Sequence, residues 1–169
     1  MKKIILNFCI LLGCCFFLPH CKSLKRSGVR IFLKKAKDKK DNSVEFWSPP
    51  SPYQRQKHDI LDVLWWNPKT KSSLSYFSNC SKHQLSLKQI EAETLSDIYK
   101  YERIKTQKTK NSILSEIKIY HLDGHITFSG IKTLKKRNCF YIINFITQSK
   151  KSFKKEFPVF KKFMERFYP

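Results

Sequence analysis

The stretch Cys139-Phe140-Tyr141-Ile142-Ile143-Asn144-Phe145-Ile146 constrains the fold more than any other part of the chain. Side chains of a strand alternate between two faces, and this run is apolar on both, as expected for a central strand covered on each side. Two segments can supply the covers. Ser86-Leu87-Lys88-Gln89 has the form of a capping box, with Ser86 as N-cap and Gln89 reaching back from the third helical position. Leu87, Ile90, Thr94, Ile98 and Tyr101 follow at helical spacing, which predicts a helix from about Leu87 to Tyr101. The other cover is the C-terminal segment, where Phe153, Phe157, Phe160, Phe163, Met164 and Phe167 recur at spacings of three and four. Pro158 does not fit a helix interior, so the main helix is expected to start near it, with Phe153 in a preceding turn.

The remaining signals are those of a meander. Val44 to Tyr53 (VEFWSPPSPY) reads as a short strand running into a rigid extended loop, where the folded domain begins. Asp62 to Trp66 reads as a strand, Asn67 to Lys71 as a turn, and Ser73 to Phe77 as the antiparallel partner. Asp123-Gly124 is the best turn signal in the chain. A two-residue loop there would set Leu122 opposite His125, so that Ile117, Ile119 and His121 share a face with Ile126 and Phe128. His121 and His125 would then lie on opposite faces. The fold class that follows is α+β: an antiparallel sheet of about five to six strands with helices packed against it.

The strand Cys139 to Phe145, followed by Phe153, Pro158, Phe160, Phe163 and Phe167, resembles the close of Mog1/PsbP-like domains. The strand and hairpin from Asp62 to Pro68 also look like small bacterial envelope lipoproteins of that α/β/α sandwich type. This resemblance spans roughly residues 44–168 and implies an architecture. Such domains are mostly non-catalytic accessory or docking modules with differing partners, so it implies no substrate.

The N-terminal end points to a compartment. Met1-Lys2-Lys3 is a basic start, and residues 4–18 are apolar except for Asn7, so residues 1–20 read as an export signal. Lys22, Lys25 and Arg26 follow too soon for a comfortable membrane span; a one-pass anchor is the alternative. Cys9, Cys14, Cys15 and Cys21 crowd this segment, which resembles a bacterial lipoprotein signal. Leu11-Leu12-Gly13-Cys14 has the small residue that lipobox processing wants, but its leader is short. Leu18-Pro19-His20-Cys21 has the better leader length, with bulky His20 in the wrong place. Cys14 is the first candidate for lipidation and Cys21 the alternative. Neither is followed by the Asp that marks inner-membrane retention in some bacteria, which tilts the expectation toward the outer membrane. Residues 21–43 hold nine basic and two acidic side chains and read as a tether, either attracted to anionic head groups or simply a solubilising spacer. Residues 44–169 then form one domain.

Two cysteines remain in that domain, Cys80 and Cys139. In an oxidising compartment they are expected to bridge, which would stabilise the fold by roughly 4 kcal/mol on the chain-entropy model; two buried thiols are the alternative.

Chemistry is sparse. The four glycines, Gly13, Gly28, Gly124 and Gly130, are too scattered for a P-loop or a dinucleotide fingerprint. No GxSxG or CxxC occurs in the domain, and no catalytic residue is assigned. His58, His83, His121 and His125 with Asp59, Asp62 and Asp123 could form a metal site only on paper, and no metal or cofactor is expected. Glu91, Glu93 and Asp97 are expected on the wet face of the first helix. Trp47, Tyr53, Trp65 and Trp66 are the partner-binding candidates, because Trp and Tyr supply many binding hot spots, with the loop Pro49 to Tyr53 first. Core packing would account for at least two of the four.

Three functions compete. The first is a lipid-anchored, non-enzymatic envelope protein whose domain binds another envelope component. The second takes the net charge of +21, with many basic residues between Lys132 and Arg166, as a face for nucleic acid; it needs a cytosolic location, against the leader. The third is a secreted enzyme whose site is scattered through the sequence. Hydrophobic content of 41% and aromatic content of 14% exclude a disordered polycation in all three.

Overall fold

Cys139–Thr147 form strand β8, and eight of its nine residues are buried. In the computed structural model, which describes residues 41, 43–80 and 85–169, β8 is the middle strand of a seven-stranded antiparallel sheet. The expectations for the leader, for Cys14 and Cys21 and for most of the tether lie outside the described residues. The other strands are β1 (Glu45–Phe46), β2 (Gln54–Gln56), β3 (Val63–Asn67), β4 (Ser72–Asn79), β5 (Lys100–Lys108), β6 (Ser112–Tyr120), β7 (Ile126–Lys136) and β9 (Phe167–Tyr168). The main sheet runs β2-β3-β4-β8-β7-β6-β5, and β1 pairs separately with β9.

Helix α1 (Leu87–Leu95) lies on one face and helix α2 (Lys150–Glu165) on the other. The architecture is thus the α/β/α sandwich that the two-faced strand requires. The α2 face is aromatic: Trp65, Tyr76, Phe145, Phe160, Phe163 and Phe167 are all buried there. The α1 face is mostly aliphatic, built on Leu64, Ile90, Ile117, Ile131 and Ile142. Phe160 reaches the sheet because Gly130 of β7 has no side chain. A Cβ at that position would lie 2.6 Å from Phe160 Cε1, closer than carbon atoms can approach.

Several boundaries differ from the sequence reading. The first helix keeps its capping box but ends at Leu95, and Tyr101 belongs to β5. Every residue of β5 is exposed, so it carries no apolar alternation to announce a strand. Its charges and the register shift between Arg103 and Lys105 suit an edge that must not recruit another chain. The terminal helix starts at Lys150, before Phe153, with Pro158 inside it. A proline there costs about 3 kcal/mol. Burial of Phe153, Phe160, Phe163 and Met164, each worth roughly 1.5–3 kcal/mol, outweighs it. Pro158 and Lys154 both face solvent, so water can reach the carbonyl that the proline leaves without a donor.

The turn after β6 also differs. His121 N–H donates to His125 O at 2.9 Å and Gly124 N–H to His121 O at 3.0 Å, so the loop has three residues, Leu122 to Gly124. Gly124 supplies the left-handed position (φ +80) that such a loop needs. The extra residue slips the register by one. Ile119 pairs with Thr127 and Lys118 with Phe128, and His121 and His125 face each other rather than opposite sides.

Candidate functional site

Antiparallel pairing of β4 with β8 sets Asn79 opposite Phe140, so the next position brings Cys80 opposite Cys139. The two are joined in a disulfide with their Cα atoms 4.0 Å apart. The same end of the sheet receives the chain from the tether. Asp41 N–H donates to Ser78 Oγ at 2.9 Å, and the Asp41 carboxylate accepts from Ser43 N–H, Ser43 Oγ and the Tyr141 hydroxyl. Hydrogen bonds from Ser43 and Tyr141 hold the Asp41 carboxyl below the usual carboxylate range, with Arg137 adding its charge.

Two hollows adjoin at this end. One, of about 380 Å³, is lined by Asp41, Ser43, Glu45, Arg137, Tyr141 and Tyr168 among others. Its neighbour, of about 460 Å³, is lined by Leu87, Lys110, Asn111, Lys135, Lys136 and Arg137. Sheet register explains the gathering of cations. Ser112 pairs with Leu134, so Lys110 and Asn111, which precede β6, lie beside Lys135 and Lys136, which close β7. Lys135 N–H donates to Asn111 O at 3.0 Å, and the Lys135 ammonium to Leu85 O at 3.1 Å. The Lys136 ammonium donates to Pro169 O. Lys136 also pairs with Cys139, leaving Arg137 and Asn138 as the tip of the β7–β8 hairpin. Arg137 takes a left-handed backbone (φ 54) that favours glycine or asparagine, a strain of order 1 kcal/mol.

The aromatic candidates fall elsewhere. Trp65 is 3% exposed and packs against Phe163 and Phe46, with ring centroids 5.4 and 5.5 Å away. Tyr53 is buried too: its hydroxyl donates to Glu156 Oε2 at 3.0 Å and lies 3.2 Å from Ser72 Oγ, while Asn67 Nδ2 reaches Glu156 at 3.5 Å. Burial pushes the Tyr53 phenol up. Both residues are thus core, which removes them from the partner-binding set. Trp47 and Trp66 stay half-buried, and the Lys162 ammonium sits 4.7 Å from the Trp47 ring. The loop from Pro49 to Tyr53 contains a cis Ser51–Pro52 bond and lies at the opposite end of the sheet from the disulfide.

Among the carboxylates, Glu91 is not on a wet face. It is i+4 from Leu87 and i−3 from Thr94, so the stripe itself carries it inward. Arg103 Nη1 and Ser115 Oγ both contact its Oε1 at 2.6 Å. Burial alone would raise its pKa, but these hydrogen bonds and the guanidinium charge hold the carboxyl below its usual range. Among the described residues, no three of the candidate histidines and aspartates come together as a metal site: His58 Nδ1 accepts from Ile60 and Leu61 N–H, and His121 Nε2 lies 2.9 Å from Thr127 Oγ1. His83 lies outside the described residues. Asp41, Cys80 and Cys139 bring ligand atoms within 4.8 Å of one another, but two sulfurs bonded to each other offer no thiolate to a metal.

The sequence reading did not single out Lys110, Lys135, Lys136 or Arg137. The only available signal was basic residues flanking two turns, and their meeting depends on a register that composition does not reveal.

No protein-family model matches the chain, and no curated protein does. Solved structures do. Mog1 from Saccharomyces cerevisiae, a Ran-binding protein, aligns at a TM-score of 0.54 with 11% identity, covering 70% of this chain and 86% of that one. A Mog1 point mutant aligns at 0.57 with 10% identity, covering 79% and 96%. Cyanobacterial PsbP from Synechocystis aligns at 0.51 with 10% identity, covering 76% and 93%. At these identities the likeness is one of fold, and the described domain has the Mog1/PsbP-like architecture.

Proposed function

We propose that the protein is a lipid-anchored, non-enzymatic binding module of the cell envelope, held through Cys14 or Cys21 and a basic tether. The observation that carries the reading is the docking of Asp41 at the disulfide end: with an anchor upstream of it, the domain would hang from that end and keep the rest of its surface for a partner. The apolar leader with its clustered cysteines supports export. A bonded Cys80–Cys139 pair is what an oxidising compartment would give. A neighbour of the same fold is named for binding a protein, Ran, so the scaffold serves protein binding in at least that case. Outer membrane is the preferred location, since neither Cys15 nor Lys22 is the retention Asp.

The test is the intact mass of membrane-extracted protein, taken with and without reductant. A diacylglycerol adduct on a chain starting at Cys14 or Cys21 supports the anchor and chooses the site. A gain of about two mass units on reduction supports the bridge. A soluble chain starting at Met1 with free thiols contradicts the proposal and brings nucleic acid forward as the partner of the basic surface.

A further inference from the structure

We infer that the cationic rim formed by Lys110, Lys135, Lys136 and Arg137 is a docking surface of the folded domain for the anionic phosphate head groups of the membrane. Four cations from two hairpin ends line one hollow of about 460 Å³. Lys135 donates to the carbonyl of Leu85, and a neutral carbonyl orients an ammonium without cancelling its charge; Lys136 donates to Pro169 O, and Lys110 and Arg137 stay exposed. The carboxylates lining the adjoining hollow are Asp41 and Glu45. Asp41 is already engaged by Ser43 and Tyr141, and neither carboxylate lines the hollow that the four cations share. Arg137 is held at the hairpin tip in a strained backbone conformation, with the disulfide residue Cys139 next but one. The rim therefore presents a positive charge excess on a braced support.

The chain outside the described domain selects the occupant. It joins the domain through Asp41, which lines the hollow adjoining the rim, and its residues 22–40 hold nine basic side chains. This step rests on the anchored reading: a domain hung from that end has its rim nearest the head groups. The opposite end carries lysines as well, since β8 runs away from the disulfide and α2 opens at Lys150 and Lys151. Nine residues of strand put these roughly 30 Å further from the tether's exit. That is beyond about three Debye lengths at physiological salt, so they do not share the same surface field.

The test uses the chain from Lys22 onward, which keeps tether and domain without a lipid, on vesicles of phosphatidylglycerol and of phosphatidylcholine. Two triple variants lose equal charge from exposed positions: K110Q/K136Q/R137Q at the rim and K150Q/K151Q/K155Q on α2. A protected disulfide and an unchanged circular dichroism spectrum certify that both are folded. The rim variant is expected to lose affinity for phosphatidylglycerol by about a hundredfold, the α2 variant by no more than about threefold, with phosphatidylcholine bound by neither. Equal losses from the two variants, or equal binding to both lipids, overturn the proposal. Tighter binding to duplex DNA than to phosphatidylglycerol, with the rim variant abolishing it, also overturns it in favour of a nucleic-acid surface. Failure here is distinct from failure of the anchor, which shows in the mass of the native protein whatever the vesicles report.

Discussion

The two ends of the sheet handle polar groups in opposite ways. At the β3–β4 turn end, Tyr53, Ser72, Asn67 and Glu156 bond to one another beneath α2, and Asn67 Oδ1 also accepts from Lys69 and Thr70 N–H at 3.0 and 3.3 Å. Those groups are consumed internally and fix the turn against the helix. At the disulfide end a covalent link does the fixing, and the cations around it are turned outward. Where a cross-link supplies the rigidity, side chains are released for contact with something else. Arg103 marks the contrast within one strand system, because its charge is spent inside on Glu91 while Lys110 remains on the surface.

Breaking the disulfide is the strongest way to test this division. Replacing both Cys80 and Cys139 by alanine should cost roughly 4 kcal/mol in urea unfolding, given a loop of 59 residues. A loss below about 1 kcal/mol would mean that the rim is rigid without its bond. Gly130→Ala, midway along the sheet, should cost about 1–3 kcal/mol through the clash with Phe160, and should loosen both ends alike. Amide exchange would read which end opens first. Tyr53→Phe removes one donor from the buried Glu156 carboxyl and should cost about 1–3 kcal/mol, with increased exchange confined to the turn end.

The smallest effect is in pH. Glu91 has a folded pKa below its unfolded one, so the unfolded chain binds the extra proton as pH falls. Its contribution is complete above the ordinary glutamate range of about 4.3 and declines below it. Glu91→Gln should therefore flatten the acid limb of stability against pH. An unchanged acid limb in the variant would show that Arg103 contributes nothing through that pair.

Much of the fold was legible because its strongest signals are local. The central strand announces itself by having no polar face, and the capping box at Ser86 places the start of α1 to the residue. The failures have physical causes. Strand β5 is an exposed edge with no apolar period to read, and Pro158 is tolerated only because buried phenylalanines on both sides of it outweigh its cost. The slipped hairpin turns on one residue of loop length, which Asp123-Gly124 does not determine. Of the site, Cys80 and Cys139 could be paired by elimination, but the rim could not be seen. Lys110 and Arg137 stand 27 positions apart, and only the β6–β7 register joins their neighbourhoods.

The most direct test is a lysine acetylation footprint of the native protein in its own membranes, compared with the detergent-extracted form and read by peptide mass. The account expects Lys110, Lys135 and Lys136 to be protected several-fold in the membrane, and Lys150 and Lys151 to react at the same rate in both. Equal protection at the two ends, or protection of Lys150 and Lys151 alone, would contradict the assignment of the disulfide end as the side that faces the membrane.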